Sequence, residues 1–456
     1  MKHVSFQFNR MRMRTTTAIF TLLCTLTLST SICADDQINN DHQALTPEIA
    51  TPPFKYVWGH AYHILPETHN SESGYFSLCE GLDGKIYVGT AKYGENSYLV
   101  EFNPKTGQQK IVIDTNKVCG LQPKSYNEAQ SKIHTRNSVG RSGTIYVGSM
   151  ESPKPEDPTQ YPGGYVMTYD PTTETAKSHG IASPGMGVID VVSDEERGIV
   201  YVVLINAKKP WMLYDLKTKQ YRPLGPIPTV FGTTLIDNRG HANVITKDFQ
   251  LAQFNPDNGE VKVRDIVAGG KKLKPGPPSA WAPTWNLAQN GRTAYLIQLL
   301  DPTLYAIDLL SDGQVVNAVN HGPMIGGKNP DSRCALSIAP DGNVYALVRV
   351  DNETGFGGFY LHHLVQFDPT TETMNDLGVL AVKNPDFFFK SPGAKPEHPA
   401  TNDDHPPYYG YHTLPDGTLT PLYNHLAMIA TRDGTIYVTI IYPFTILKID
   451  RPSSKG

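Results

Sequence analysis

One phrase recurs seven times and constrains the fold of this chain more than any other feature. It reads LDGKIYVG at Leu82, RSGTIYVG at Arg141, EERGIVYV at Glu195 and DNRGHANV at Asp237. It returns as QNGRTAYL at Gln289, PDGNVYAL at Pro340 and RDGTIYVT at Arg432. Each copy is the turn and second strand of a hairpin, and its glycine supplies the positive φ that such a turn requires. Most copies are followed by a second phrase: LVEFNPKTG, VMTYDPTTE, MLYDLKTK, LAQFNPDNG, LYAIDLLSDG and LVQFDPTTE. That phrase is a strand running into an Asx-type turn, after which a fourth strand such as QQKIVID or YRPLG follows. Four short strands per repeat of roughly 40–50 residues is the signature of a propeller blade.

The expected fold is therefore all-β: a seven-bladed β-propeller with four-stranded antiparallel blades over residues 54–456. The last copy of the phrase runs out near the C-terminus. The alternating segment from Phe54, FKYVWGHAYHIL, is expected to complete that final blade and so remove an exposed sheet edge. An open β-sandwich of repeated hairpins is the alternative, and seven similar units argue against it. Two segments exceed the repeat, Ser152 to Tyr165 and Leu380 to Pro421. Loops of that length with aromatic and histidine residues are expected to be functional.

The N-terminus reads as a targeting segment. Arg10, Arg12 and Arg14 form a basic region, and Thr15 to about Leu28 is apolar but too short to span a bilayer. Ser-Ile-Cys-Ala34 precedes Asp35, so a signal peptide over residues 1–34 and a flexible leader over 35–53 are expected. Ile32 is larger than the small residue a lipoprotein reading of Cys33 asks for. The mature chain is expected to be secreted or periplasmic, monomeric and without a membrane span. The full chain of 456 residues is long enough to bury a large core. A formal net charge of −4 gives no footprint for nucleic acid. Cys79, Cys119 and Cys334 remain after cleavage, an odd number at wide spacing and no disulfide framework.

In a propeller the first strand of each blade is innermost, and its beginning opens on one face around the channel. The residues at that position are Tyr75, His134 with Arg136, Met186, Phe231, Trp285, Arg333, and Asn424 with His425. Strands crowded against an axis ask for small apolar residues, so long polar side chains there need partners or a ligand. Each has a plain structural reading too. His134 alone is more simply a core histidine bonded to a carbonyl. Arg136, two residues on, shares its strand face. Arg333 follows Asp331 and can be half of an ion pair. Trp285 can plug the channel or stack on a sugar. Tyr161 sits in a Pro-Gly-Gly turn. His63 leads into the first blade on the same rim, and Tyr409 with His412 lies in the long insertion, which is expected to cap the funnel.

No nucleophile elbow, phosphate loop, HExxH or EF-hand loop is present. Carboxylates are scarce on the ring, which disfavours glycoside hydrolysis. His, Tyr and Arg suit proton abstraction α to a carboxylate: Arg neutralises the carboxylate, and His or Tyr moves the protons. That is β-elimination on a uronate polymer.

Three stretches carry a resemblance. HILPETHNSESGYFSLCEGLDGKIYVGTAKYGENSYLVEFNPKTG, KIHTRNSVGRSGTIYVG with YPGGYVMTYDP, and NPDFFF…YHTLPDGTL…RDGTIYVTIIYPFTIL resemble a group of exported bacterial seven-bladed propellers. The architecture is also similar to that of the propeller-fold polysaccharide lyases of the ulvan lyase type. That resemblance implies His and Tyr as base and acid, with an Arg neutraliser. Oligogalacturonate lyases share the architecture and hold a metal with several His, and no closely spaced His cluster occurs on this ring.

The sequence thus leads to an exported lyase acting on a uronate-containing anionic polysaccharide, with ulvan foremost. His134, Arg136, Arg333 and Tyr161 are the expected catalytic set. His63, Tyr75, Trp285, Tyr409, His412 and His425 are the expected substrate contacts. No cofactor is required for the elimination, and a structural Ca or Zn ion is compatible with the chain. The alternatives are a non-catalytic propeller binding a glycan or protein, and a metal-dependent hydrolase or lactonase.

Overall fold

The turn glycines take the conformation the sequence demands. Gly84, Gly143, Gly198, Gly240, Gly291, Gly342 and Gly434 all have positive φ, from 63° to 89°. Gly84 donates its N–H to the Gly81 carbonyl and Gly143 to that of Gly140, each at 2.9 Å. The second phrase behaves as predicted as well. Asn103, Asp170, Asp215, Asn255, Asp308 and Asp368 each accept the N–H two residues ahead, which is the Asx turn.

The computed structural model describes residues 55–70, 72–151, 160–205, 210–229, 232–275, 283–333, 335–357, 360–386, 410–422 and 427–451. Strands dominate throughout. The simplest sheet is a four-stranded antiparallel meander of Val188–Asp194, Ile199–Leu204, Trp211–Asp215 and Gln220–Pro223. Meanders of the same order occupy 72–114, 138–181, 235–268, 283–323 and 336–382.

Among the described residues these meanders are joined to one another rather than standing as separate sheets. They fuse into sheets of eight and nine strands. Ile266 pairs in parallel with Val316, and Leu380 with Val57. Lys132–Ile133 bridges Ala91 to Met150 and Ser149. The cause is geometric: the outer strands of successive meanders run the same way around the ring, so a parallel ladder forms wherever two of them come close.

Closure follows the expected plan. The N-terminal strand Tyr56–His63 pairs antiparallel with Thr445–Ile449, from Gly59 opposite Ile449 to His63 opposite Thr445. It completes the meander of Ala427–Ala430, Ile436–Ile440 and Thr445–Ile449. The inner strand Ala427–Ala430 in turn lies against both Glu72–Glu80 and Leu336–Ile338. The first and last segments are therefore tied into one ring, and the edge that either would expose is covered. This strand starts at Tyr56, and Phe54 lies outside the described residues.

The core sits between neighbouring meanders. Leu78, Val88 and Phe102 pack on Tyr437 and Ile446 across the closure. Leu347 and Leu364 pack on Val438 and Leu447 in the adjoining interface. Each such side chain contributes about 1.5–3 kcal/mol when fully buried, so alternation along every strand drives assembly of the ring.

The expected signal peptide and leader, 1–34 and 35–53, lie outside the described residues, as do 152–159 and 387–409 of the two insertions. The end of the second insertion is a hairpin of Tyr411–Thr413 with Leu419–Pro421. Cys79 and Cys119 are free thiols. Among the described residues no helix is long and apolar enough to cross a membrane.

Candidate functional site

In each meander the start of the first strand, the end of the second and the start of the third share one rim. At two neighbouring meanders this rim is irregular. The ladder of Glu72–Glu80 breaks between Ser73 and Leu78, and Tyr75 there adopts φ 57°, a left-handed backbone that a bulky residue rarely takes. The next first strand is split into Lys132–Ile133 and Ser138–Val139. Glycines let the two meet. A Cβ on Gly74 would lie 2.2 Å from the Ile133 carbonyl oxygen, and one on Gly89 would lie 2.1 Å from Ser77 Oγ.

The side chains released from pairing converge. His134 is 4% exposed. It stacks on Phe76 at 4.7 Å and meets Tyr75 edge-on at 4.9 Å. Its Nδ1 lies 2.9 Å from Met150 Sδ. Burial first, and the Lys132 ammonium second, hold its pKa well below the usual imidazole value. His134 is thus neutral and enclosed, which corrects the expectation of a side chain facing a wet funnel.

Lys132 is also 4% exposed. Its Nζ lies 5.0 Å from the Tyr75 ring centroid and 5.2 Å from that of Tyr93, so two aromatic faces hold the cation. Glu151 lies just past the end of the strand Ile145–Met150. Burial pushes its carboxyl up while Lys132 pulls it down, and its Oε2 has no hydrogen-bond partner among the described residues. Tyr75, Phe76 and Tyr93 remain half-buried and form the accessible surface of the cluster.

Tyr161 lies beside this cluster as a brace. Its hydroxyl donates to Gln130 Oε1 at 2.8 Å. Ser149 Oγ donates to the same oxygen, and Gln130 Nε2 donates to the Gly163 carbonyl. Burial raises its pKa well above the ordinary tyrosine value. A sealed, poorly acidic phenol is not the proton-transfer group expected of it.

Arg136 spans the channel. Its NH1 donates to the Trp285 carbonyl at 2.9 Å and to Asn286 Oδ1 at 3.3 Å. Beside it, the fully buried Asp190 accepts the Thr234 N–H at 2.8 Å, and burial outweighs both that bond and Arg136 to raise its pKa to about 7. Trp285 is 1% exposed, and its Nε1 donates to the Thr233 carbonyl and Oγ1. It is a core plug and offers no face to a sugar. Further bonds knit successive inner strands: Ser77 to Asn137, Ser193 to Ser138 and Ala430 to Ser337. Much of the polarity predicted to need a ligand is satisfied by neighbouring strands.

The remaining predicted residues lie apart from this cluster. Arg333 Nε is 3.4 Å from Asp331 Oδ2, and Arg349 NH2 reaches the same oxygen at 3.2 Å. The Arg333 side chain is 44% exposed. His412 is buried in the insertion hairpin, and burial lowers its pKa to about 4. His63 is half-buried, edge-on to His69 at 5.9 Å, with its pKa lowered by burial. Tyr409 and His425 lie outside the described residues. Of the predicted set, the structure brings together Tyr75 and His134, and it adds Lys132, Phe76, Tyr93 and Glu151. Lys132 could have been found, because it lies two residues before His134 on an extended segment. Tyr93 had no sequence signal. Among the described residues no group of three or more His, Cys, Asp or Glu side chains is placed to hold a metal ion.

Neither a protein-family model nor a curated protein matches the chain. Solved structures do. A fungal alcohol oxidase of the AA5 family, in complex with copper, superposes at TM-score 0.51 with 10% identity, covering 87% of this chain and 76% of that one. Virginiamycin B lyase from Staphylococcus aureus gives 0.48 and 8%, covering 87% and 99%. The β-propeller domain of Myceliophteria thermophila Cps50 (Swd1) gives 0.48 and 10%, covering 86% and 99%. At such identities a likeness concerns the fold alone. Successive antiparallel meanders, closed by the N-terminal strand, make this chain a β-propeller.

Proposed function

We propose that this chain is an exported polysaccharide lyase that cleaves a uronate-containing anionic polysaccharide by β-elimination, with ulvan the leading substrate. In this reading each meander is a four-stranded blade, the ring has seven of them, residues 1–34 are a signal peptide and the mature protein works as a secreted or periplasmic monomer. The observation that carries the proposal is Lys132, held between the rings of Tyr75 and Tyr93 beside His134 on one rim. An ammonium held among aromatic rings suits a sugar carboxylate, since the rings take the apolar face of a pyranose and the cation takes its charge.

The elimination needs a neutralised carboxylate, a base and an acid. Lys132 supplies the positive charge that makes the proton α to the carboxylate more acidic. A base then removes that proton, the bond to the departing oxygen breaks, a carbon–carbon double bond forms in the uronate ring, and the departing oxygen takes up a proton. Tyr75 is the half-buried tyrosine that meets His134 edge-on and is assigned the proton transfer. Its left-handed backbone is the kind of local strain that functional sites store. His134 positions Tyr75 and Phe76, and Arg136 anchors the channel. No cofactor is called for.

The enclosure of His134 and Tyr161 favours a second reading, a propeller that binds the same polymer without cleaving it. Incubation with a panel of uronate polymers separates the two. Growth of the ultraviolet absorbance of an unsaturated uronate is the expected result. Saturable binding with no absorbance change would establish the binder instead.

A further inference from the structure

We propose a second ligand site, for an oxyanion, on the opposite face of the ring. It lies in a cavity of about 510 Å³ between the meanders at 235–268 and 283–323. The cavity lining includes Arg239, His241, Lys262, Arg264, Glu260 and Asp312. These residues lie on the turns and strand ends away from the Lys132 rim. The inference does not depend on the lyase reading.

Arg264 is the central observation. It is only 9% exposed. One nitrogen, NH1, donates to the backbone carbonyls of Ser311 and Gly313. Its Nε and NH2 have no hydrogen-bond partner among the described residues. A buried guanidinium with two unmet nitrogens is costly unless something accepts from them. Arg239 Nε and His241 Nδ1 are likewise buried without partners. The local carboxylates pair with other cations of the same lining and do not reach these nitrogens. Asp312 accepts from Arg239 NH1 at 3.3 Å, and Glu260 lies 3.7 Å from Lys262 Nζ. Asp237, fully buried behind the site, accepts from Asn243 and Gln253 and lies 3.5 Å from Arg239 NH2. Burial, and the neighbouring Arg239 cation, lower the Arg264 pKa against the opposing pull of Asp312 and Asp308.

The missing partner is therefore an acceptor-only, negatively charged group small enough to enter the cavity. Sulfate, phosphate and a sugar carboxylate share that chemistry, and the planar fork of arginine fits each of them.

Titration calorimetry of the folded mature chain with inorganic sulfate, inorganic phosphate and free galacturonate, at constant ionic strength set by chloride, tests the site. Saturable binding of at least one anion is expected, and the strongest of the three names the source. Arg264→Gln should weaken it by about tenfold or more, the equivalent of one charged hydrogen bond. Should that variant not fold, Lys262→Gln with His241→Ala removes a cation and a donor from partly exposed positions, and the same weakening is expected. Lys105→Gln, at an exposed turn of the 72–114 meander, should leave it unchanged. Absence of saturable binding by the unaltered protein, undiminished affinity in the site variants that fold, or loss of binding in Lys105→Gln would overturn the proposal.

Discussion

The meander at 188–223 and the neighbouring pair at 72–114 and 138–181 are built from the same repeat but use it differently. In the first, Val188–Asp194 pairs with Ile199–Leu204 along almost its whole length, with one shift between Val188 and Asp190. In the pair, both first strands lose their ladder midway, and Tyr75, His134 and Lys132 gather in the gap. Glycine is the device that separates them. Gly198, in the regular meander, sits in an open turn with nothing within 4 Å of an added Cβ. Gly89 and Gly74, in the irregular pair, sit where a side chain would collide with the next backbone. Close approach of two inner strands displaces their side chains toward the rim, where a ligand can meet them.

The largest effect should come from filling that approach. Gly89→Val should destabilise the ring by about 3 kcal/mol or more through overpacking. Gly198→Ala, which only strains a positive φ, should cost about 1–2 kcal/mol. Denaturant unfolding of both variants checks the order, and a reversal would mean that the two glycines do not differ as described.

The next effect concerns the enclosed imidazole. His134→Ala leaves a cavity under Phe76 and Tyr75 and should cost about 2–3 kcal/mol. Because burial holds the His134 pKa well below the usual imidazole value, the pH–rate profile should keep its shape near neutrality while the rate falls. An unchanged melting temperature with a lost limb of that profile would instead make His134 the proton-transfer group.

A smaller, pH-dependent effect belongs to the channel. Asp190 titrates at about 7 when folded and near about 3.9 when unfolded. Between these values the folded state binds more protons, so this group's contribution falls as pH rises from the lower value to the higher and is level beyond it. Asp190→Asn should remove that slope, so the variant gains on the unaltered protein from about pH 4 to pH 7. Melting curves of both across that range check it, and parallel curves would contradict the burial argument.

The architecture was legible because it is local. Each turn glycine and each Asx residue encodes its own conformation, and repetition supplied the ring. The fused sheets were not legible, since the parallel contacts of Leu380 with Val57 and Ile266 with Val316 join segments far apart in sequence. The site was half legible. The departure of KIHTRN from strand composition marked the right stretch, but sequence could not say which way its side chains turn. His134 turned inward because Phe76 and Tyr75, more than fifty residues earlier, cover it. Arg136 and Trp285 found each other across the channel, a partnership no spacing announces. Tyr93 entered the site only because its strand end lies beside the Lys132 strand.

Lys132 bears the central claim, so the most direct measurement is the yield of unsaturated uronate, read in the ultraviolet, from the unaltered protein and from Lys132→Met. The account predicts product from at least one uronate polymer with the unaltered protein. It predicts a loss of about 10²–10³ in rate in the variant, with the melting transition retained. Undiminished elimination by a folded Lys132→Met protein would contradict it.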